Sequence, residues 1–429
     1  MSKYHLKCLS CGKEYEDDHF RMQCDAQHEP SLLRSVYIDK KLTLHKDKPG
    51  MFRFYDYLPV ERTIEAKGVP VTYKSTGLAE YLGLENLYII FNGYWPEKNA
   101  RMDTASFKEL EAPSVLARIS EHNRDILVVA SAGNTGRAFA NICSSNKIPL
   151  VLVVPEVSVK KIWSIRPFNE CVKLICAGGN SDYFNAISLA GAITQLDGFF
   201  PEGGARNVGR RDGMATTVLD AATTIGKTPD HYFQAIGSGT GGIAAWESYL
   251  RLTEDGSYGN GNMKLHLSQN HPFTPMTDAW IEGSRDIAPM SEEEAKEKIH
   301  SITASVLTNR KPPYSITGGV YDVLNASSGH MYSVTNPEIA EAMDLFEERE
   351  NIDICSAAGV AAGSLIKAVK NKTVNKEDHI ALNITGGGEN KLRREHDLHF
   401  LNPVLSISEQ EIGSDGVTKK LENMFAAVL

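Results

Sequence analysis

Arg101-Met102-Asp103-Thr104-Ala105-Ser106-Phe107-Lys108-Glu109-Leu110-Glu111-Ala112 decides how this chain is read. It sets one lysine behind a small hydroxyl residue and an aromatic. Phe107 and Leu110 bracket that lysine, which suits a buried amine. Burial lowers an amine's pKa, and the amine must be neutral to attack an aldehyde. Taken alone, Lys108 reads as a solvated surface cation. Three later segments change the balance.

Ser131-Ala132-Gly133-Asn134-Thr135-Gly136 lies between an apolar run, Ile126 to Ala130, and a helical pattern, Thr135 to Ser144. A turn there aims backbone N–H groups at an anion from a helix N-terminus. Its ordinary reading is a strand-to-helix turn with Asn or Thr as the cap. Gly237-Ser238-Gly239-Thr240-Gly241-Gly242 follows the strand pattern Tyr232 to Ile236. Its glycines let backbone amides approach a phosphate closely. A dinucleotide loop is the competing reading, but that fingerprint wants an acidic residue after the next strand. Lys264 to Ser268 is followed by Gln269 and Asn270 instead. Thr385-Gly386-Gly387-Gly388 closes the last strand pattern, Ile380 to Ile384.

Apolar runs alternate with helical patterns from about residue 106 onward. Strands are expected at Pro149 to Val154 and Val172 to Cys176. Helices are expected at Ser181 to Gln195, Gly213 to Thr224, Gly241 to about Leu252, Asn336 to Arg349 and Ala357 to Lys370. Such alternation predicts an α/β fold with mostly parallel sheets. The organisation expected is a cysteine-bearing head over residues 1–30, then a large domain from 31–115 and 206–429 that flanks a smaller α/β domain at 116–205.

The chain has 429 residues and a net charge of −9, with 42% hydrophobic and 23% charged residues. That acidity argues against nucleic-acid binding as the main task, and no apolar run reaches membrane-span length. Seven cysteines without a dense framework fit a reducing cytoplasm. In the head, Cys8-x-x-Cys11, Cys24 and His28 have spacing compatible with zinc. A ribbon normally carries two Cys-x-x-Cys pairs and this head has one, so a metal-free knuckle is expected. Asn207-Val208-Gly209-Arg210-Arg211-Asp212-Gly213 carries paired arginines, and Lys160, Lys161 and Arg166 add cations. Arginine suits bidentate phosphate or carboxylate binding, although such residues usually form a solvated basic surface.

Taken in order, Lys108, the asparagine loop, the glycine cradle and the Thr385 turn resemble fold-type II pyridoxal 5'-phosphate (PLP) enzymes. That architecture has two tryptophan-synthase-β-like α/β domains. Ser106-Phe107-Lys108, Ser131 to Gly136 and Asn207-x-x-Arg210-x-x-Gly213-x-x-Thr216 resemble threonine synthase motifs. Threonine synthases usually continue the lysine motif with Asp-Arg-Gly and follow the threonine with Gly-His-Gly. Here Glu109-Leu110-Glu111 and Gly386-Gly387-Gly388-Glu389 stand instead. With Phe91-Asn92-Gly93-Tyr94-Trp95-Pro96-Glu97, these stretches resemble the archaeal cysteate synthase family of coenzyme M biosynthesis.

The resemblance implies PLP as cofactor, O-phospho-L-serine and sulfite as substrates, and a homo-oligomer in the cytoplasm. It implies Lys108 as the catalytic residue that also holds PLP. Asn134 would meet the ring hydroxyl, Gly237, Ser238, Gly239, Thr240 and Gly241 the cofactor phosphate, and Thr385 the pyridine nitrogen. A neutral threonine leaves that nitrogen uncharged, which suits replacement at the β-carbon. Ser131 and Thr135 would take the substrate carboxylate, and Arg210 and Lys160 the leaving phosphate or sulfite. Threonine synthase itself, a nicotinamide-dependent oxidoreductase and a non-enzymatic zinc-ribbon protein are the alternatives.

Overall fold

Ile126–Ala130 and Leu150–Pro155 are apolar at almost every position, so each can be buried on both faces of a sheet. In the computed structural model, which describes residues 2–178, 181–259, 261–411 and 414–424, they sit at the centre of a five-stranded parallel sheet. Its order is Phe199–Pro201, Ile126–Ala130, Leu150–Pro155, Val172–Ala177 and Pro403–Ile407. A six-stranded sheet forms the larger unit. Its order is His330–Val334, Lys264–Asn270, His231–Ala235, His379–Ile384, Asn86–Phe91 and Val71–Lys74. Only the Val71–Lys74 edge runs antiparallel in it.

The expected strands and helices are present, with shifted ends. The helix expected from Gly213 starts at Val208, because the Asn207 side chain caps it by accepting the Gly209 N–H at 2.9 Å. Pro403–Ile407, which the sequence places with the large domain, instead adds an edge strand beside Val172–Ala177. Strand Leu33–Tyr37, beyond the expected end of the head, pairs with Tyr4–Cys8.

The head is anchored by buried charge. Asp212, on the helix Val208–Ile225, accepts from Tyr37 Oη at 2.7 Å and Arg251 at 2.5 Å, and also from Ser35. Removing one member of a buried ionic cluster costs about 3–5 kcal/mol, because the charge left behind has no partner. Asp212→Ala is therefore expected to lower the denaturation midpoint markedly. Chemical denaturation followed by fluorescence checks it.

The chain also brings its lysine segment to the end of the large sheet. Phe107 N–H donates to the Thr385 carbonyl at 3.0 Å, and Ser106 bridges Gly386. Ala105, three residues before Lys108, is held at φ +50°, a left-handed conformation rare for an L side chain.

Candidate active site

Lys108 begins the helix Lys108–Arg118 and lines a cleft of about 660 Å³ between the two sheets. The loops at the C-terminal ends of parallel strands meet there, where α/β folds place their ligands. Ser131 to Thr135 line it from the smaller sheet. Gly237 to Gly241 and Thr385 line it from the larger one, and Arg210 from the helix Val208–Ile225. Lys160 is not among the lining residues. It is exposed on the short helix after Leu150–Pro155, while its neighbour Lys161 reaches Ser305 Oγ at 3.4 Å. The backbone turns Lys160 outward, so the expectation that it meets substrate is corrected.

A buried chain of charges runs from the lysine. Lys108 Nζ lies 3.0 Å from Glu111 Oε2. Glu111 Oε1 lies 3.2 Å from Arg210, whose Nε lies 2.9 Å from Glu202. Burial pushes the Lys108 amine down from its ordinary range, against the pull of Glu111. The Arg210 guanidinium, with Lys108, keeps Glu111 below its usual value despite burial. Burial raises Glu202. Sequence reasoning missed Glu111 and Glu202 as site residues. Glu111 was legible in principle, since positions three apart share a helix face.

Glu109, the residue after Lys108, does not line the cleft. It is 2% exposed and accepts from Thr104 N–H and Oγ at 2.9 Å each. Burial and the nearby Asp103 charge raise its pKa to about 7. The folded state therefore prefers the protonated acid. Its stabilising share is complete below the ordinary carboxyl range and is lost as pH rises through about 7. Glu109→Gln keeps the acceptor without the titration. It is expected to flatten that decline by about 1–3 kcal/mol between roughly pH 5 and 8. Denaturation midpoints across that range check it.

The loops carry donors. Ser131 Oγ accepts the N–H groups of Gly133 at 3.1 Å and Gly136 at 2.8 Å, which organises its loop. Asn134 Oδ1 accepts from Arg137 at 2.9 Å, leaving its amide hydrogens free to donate. Gly239 sits at φ +83°, and a Cβ there would come within 2.1 Å of Val320. A Cβ at Gly241 would come within 2.0 Å of the Gln234 side chain. Among the described residues, the amides of Gly237, Ser238 and Gly239 find no protein acceptor.

The pyridoxal-phosphate dependent enzyme family matches residues 92–386. A cysteate synthase from Methanosarcina acetivorans is 49% identical over 413 residues, spanning 96% of this chain and 98% of that protein. One from Methanocella paludicola is 47% identical over 425 residues, spanning 98% of each. The chain belongs to the cysteate synthase family. In fold it is similar to diaminopropionate ammonia lyase from Escherichia coli (TM-score 0.57, 14% identity, 86% of this chain and 91% of that one). Maize serine racemase is also similar (TM-score 0.55, 12% identity, 76% and 90%).

Family membership makes this a PLP-dependent enzyme and sets aside the nicotinamide and non-enzymatic readings. The site fits the cofactor. Three unpartnered amides at a helix N-terminus form a phosphate cradle, in a turn where a Cβ at Gly239 or Gly241 would strike Val320 or Gln234. The partly buried amine of Lys108 lies in the same cleft, as do Asn134 and Thr385. No helix of the described chain is long and apolar enough to cross a membrane.

Proposed function

We propose that the chain joins O-phospho-L-serine and sulfite to give L-cysteate and phosphate, as part of coenzyme M biosynthesis. The observation that carries this reading is the cleft, which sets a partly buried amine among anion-binding amides and a buried arginine. The bound cofactor supplies an electron sink that acidifies the substrate's α-C–H.

Lys108 holds the cofactor, takes the α-proton at Nζ and later returns it. Burial keeps that amine able to act as a base, and Glu111 stabilises it once protonated. Asn134 donates to the ring hydroxyl and Thr385 to the ring nitrogen. Gly237, Ser238, Gly239, Thr240 and Gly241 hold the cofactor phosphate. Ser131 and Thr135 orient the substrate carboxylate. The Cβ–O bond of phosphoserine breaks, phosphate departs, and the sulfite sulfur forms the new bond to Cβ. Arg210 is already engaged by two carboxylates, so Arg206 and Lys311, exposed along the cleft, join it in attracting the incoming and departing anions. Seven unbridged cysteines suit a reducing cytoplasm.

Threonine synthase chemistry needs a substrate one methylene longer, whose phosphate would sit farther from the ring. Charge-assisted bonds are worth about 1.5–3 kcal/mol each, so misplacing one changes selectivity by about tenfold or more. Phosphoserine is expected to exceed phosphohomoserine in kcat/KM by that margin. Steady-state phosphate release with each substrate checks it, and a preference for phosphohomoserine would return the chain to the threonine synthase reading.

A further inference from the structure

The head leaves four side chains that the reaction does not use. Cys8 ends a strand, Cys11 lies in the turn after it, and Cys24 and His28 lie in the irregular stretch beyond, yet their donor atoms all lie within 4.8 Å of one another. Cys11 Sγ is 3.7 Å from Cys24 Sγ, and Cys8 Sγ is 3.4 Å from His28 Nε2. Zinc–sulfur bonds of about 2.3 Å and a zinc–nitrogen bond of about 2.0 Å at tetrahedral angles give edges of about 3.5–3.8 Å. Two edges of the cluster already match such a site, and the other separations are within 4.8 Å, so small side-chain shifts close it.

Their surroundings are also those of a ligand set. His28 Nδ1 lies 2.7 Å from the Glu29 carbonyl. Donating its hydrogen there leaves Nε2 bare and turned toward the Cys8 sulfur. Cys8 ends the strand Tyr4–Cys8, and the chain turns back at once, with Gly12 at φ +74° and its N–H on the Cys8 carbonyl at 3.0 Å. Cys24 Sγ receives the Ala26 N–H at 3.4 Å and the Tyr15 hydroxyl at 2.9 Å. Three thiolates and one imidazole in a tetrahedron suit zinc above the harder divalent ions.

We propose that Cys8, Cys11, Cys24 and His28 bind one zinc ion that clamps the irregular segment between them onto the helices carrying Lys108 and Arg210. After Glu14–Tyr15 the segment has no regular structure until Leu33–Tyr37, apart from a single bridge at Ser31. It nevertheless supplies Asp17, which takes Arg118 Nε at 2.7 Å and a terminal nitrogen at 2.6 Å. Arg118 is 1% exposed and lies in the last turn of Lys108–Arg118. Its other terminal nitrogen donates to Asn207 Oδ1 at 3.1 Å, the cap of the Arg210 helix. Met22 packs on Gly203, beside Glu202, and Pro30 and Leu32 line the cleft. Zinc closes the loop that holds Asp17 in place, and without it the buried Arg118 loses its counter-charge. The expectation of a metal-free knuckle is replaced by this assignment. One Cys-x-x-Cys pair is enough when Cys24 and His28 complete the four.

Full-length holoenzyme purified under reducing conditions, without nickel resin, tests this. Elemental analysis is expected to find about one zinc per chain. X-ray absorption at the zinc edge is expected to find three sulfurs at about 2.3 Å and one nitrogen at about 2.0 Å. Cys24→Ser and His28→Ala are expected to reduce zinc to background and to lower the thermal midpoint by several degrees. Should those variants fail to fold, the unmodified protein still decides. Absence of zinc, an oxygen- and nitrogen-only shell, or a Cys11–Cys24 disulfide seen as a mass loss would each overturn the proposal. So would full zinc retention in both folded variants.

Discussion

Lys108→Ala is expected to lower kcat by at least about 10³-fold, since the change removes both the covalent anchor and the base. The amine lines the same cleft as the glycine cradle and Thr385. The variant is expected to fold. Glu111, the lysine's partner, keeps Arg210 at 3.2 Å, so its buried charge stays compensated. Circular dichroism checks the fold, and single-turnover phosphate release checks the rate. Borohydride reduction of the unmodified protein followed by peptide mapping is expected to place the pyridoxyl group on Lys108. Labelling of another lysine would remove Lys108 from its role.

Arg210→Ala is expected to be the most damaging substitution that leaves Lys108 in place. Arg210 stands between two buried carboxylates, Glu111 at 3.2 Å and Glu202 at 2.9 Å. Its loss leaves them with only Lys108 for compensation, at a cost of about 3–5 kcal/mol. The sign on the catalytic amine follows from the same charges. Arg210 lowers the Lys108 pKa, whereas Glu111 and Glu202 raise it. Without Arg210 the amine holds its proton to higher pH. The acid limb of the rate profile is expected to move to higher pH, lowering the rate at a fixed pH on that limb. Arg210→Lys restores charge without the two-pronged geometry, so it is expected to recover the pH profile better than the stability. A pH–rate profile together with a denaturation midpoint separates the two effects. An unshifted profile would take Arg210 out of the lysine's electrostatic environment.

The parallel sheets were legible because Leu150–Pro155 is apolar throughout, and Ile126–Ala130 and the largely apolar His379–Ile384 run into small-residue or glycine turns. His330–Val334 escaped notice because HMYSV mixes polar and apolar residues without alternation, and its place is set by pairing with Lys264–Asn270. Pro403–Ile407 opens with a proline and lies far along the chain from the sheet it joins. Local pattern cannot show such a return. In the site, Lys108, Ser131, Thr135 and Gly237 to Gly241 came from motifs, and the fold brings them into one cleft. Glu202 follows a short strand with no motif around it, and its meeting with Arg210 depends on how the small sheet packs. Lys160 offers no signal beyond its charge, and charge does not fix which way a turn faces.

The reaction is defined by which bond the enzyme makes at the β-carbon. Purified protein with PLP, O-phospho-L-serine and sulfur-labelled sulfite measures this directly, with products identified by mass spectrometry and phosphate counted in the same sample. The expected result is L-cysteate carrying the label, formed one for one with phosphate. Phosphate release with no labelled cysteate, or efficient threonine formation from phosphohomoserine alone, would contradict it.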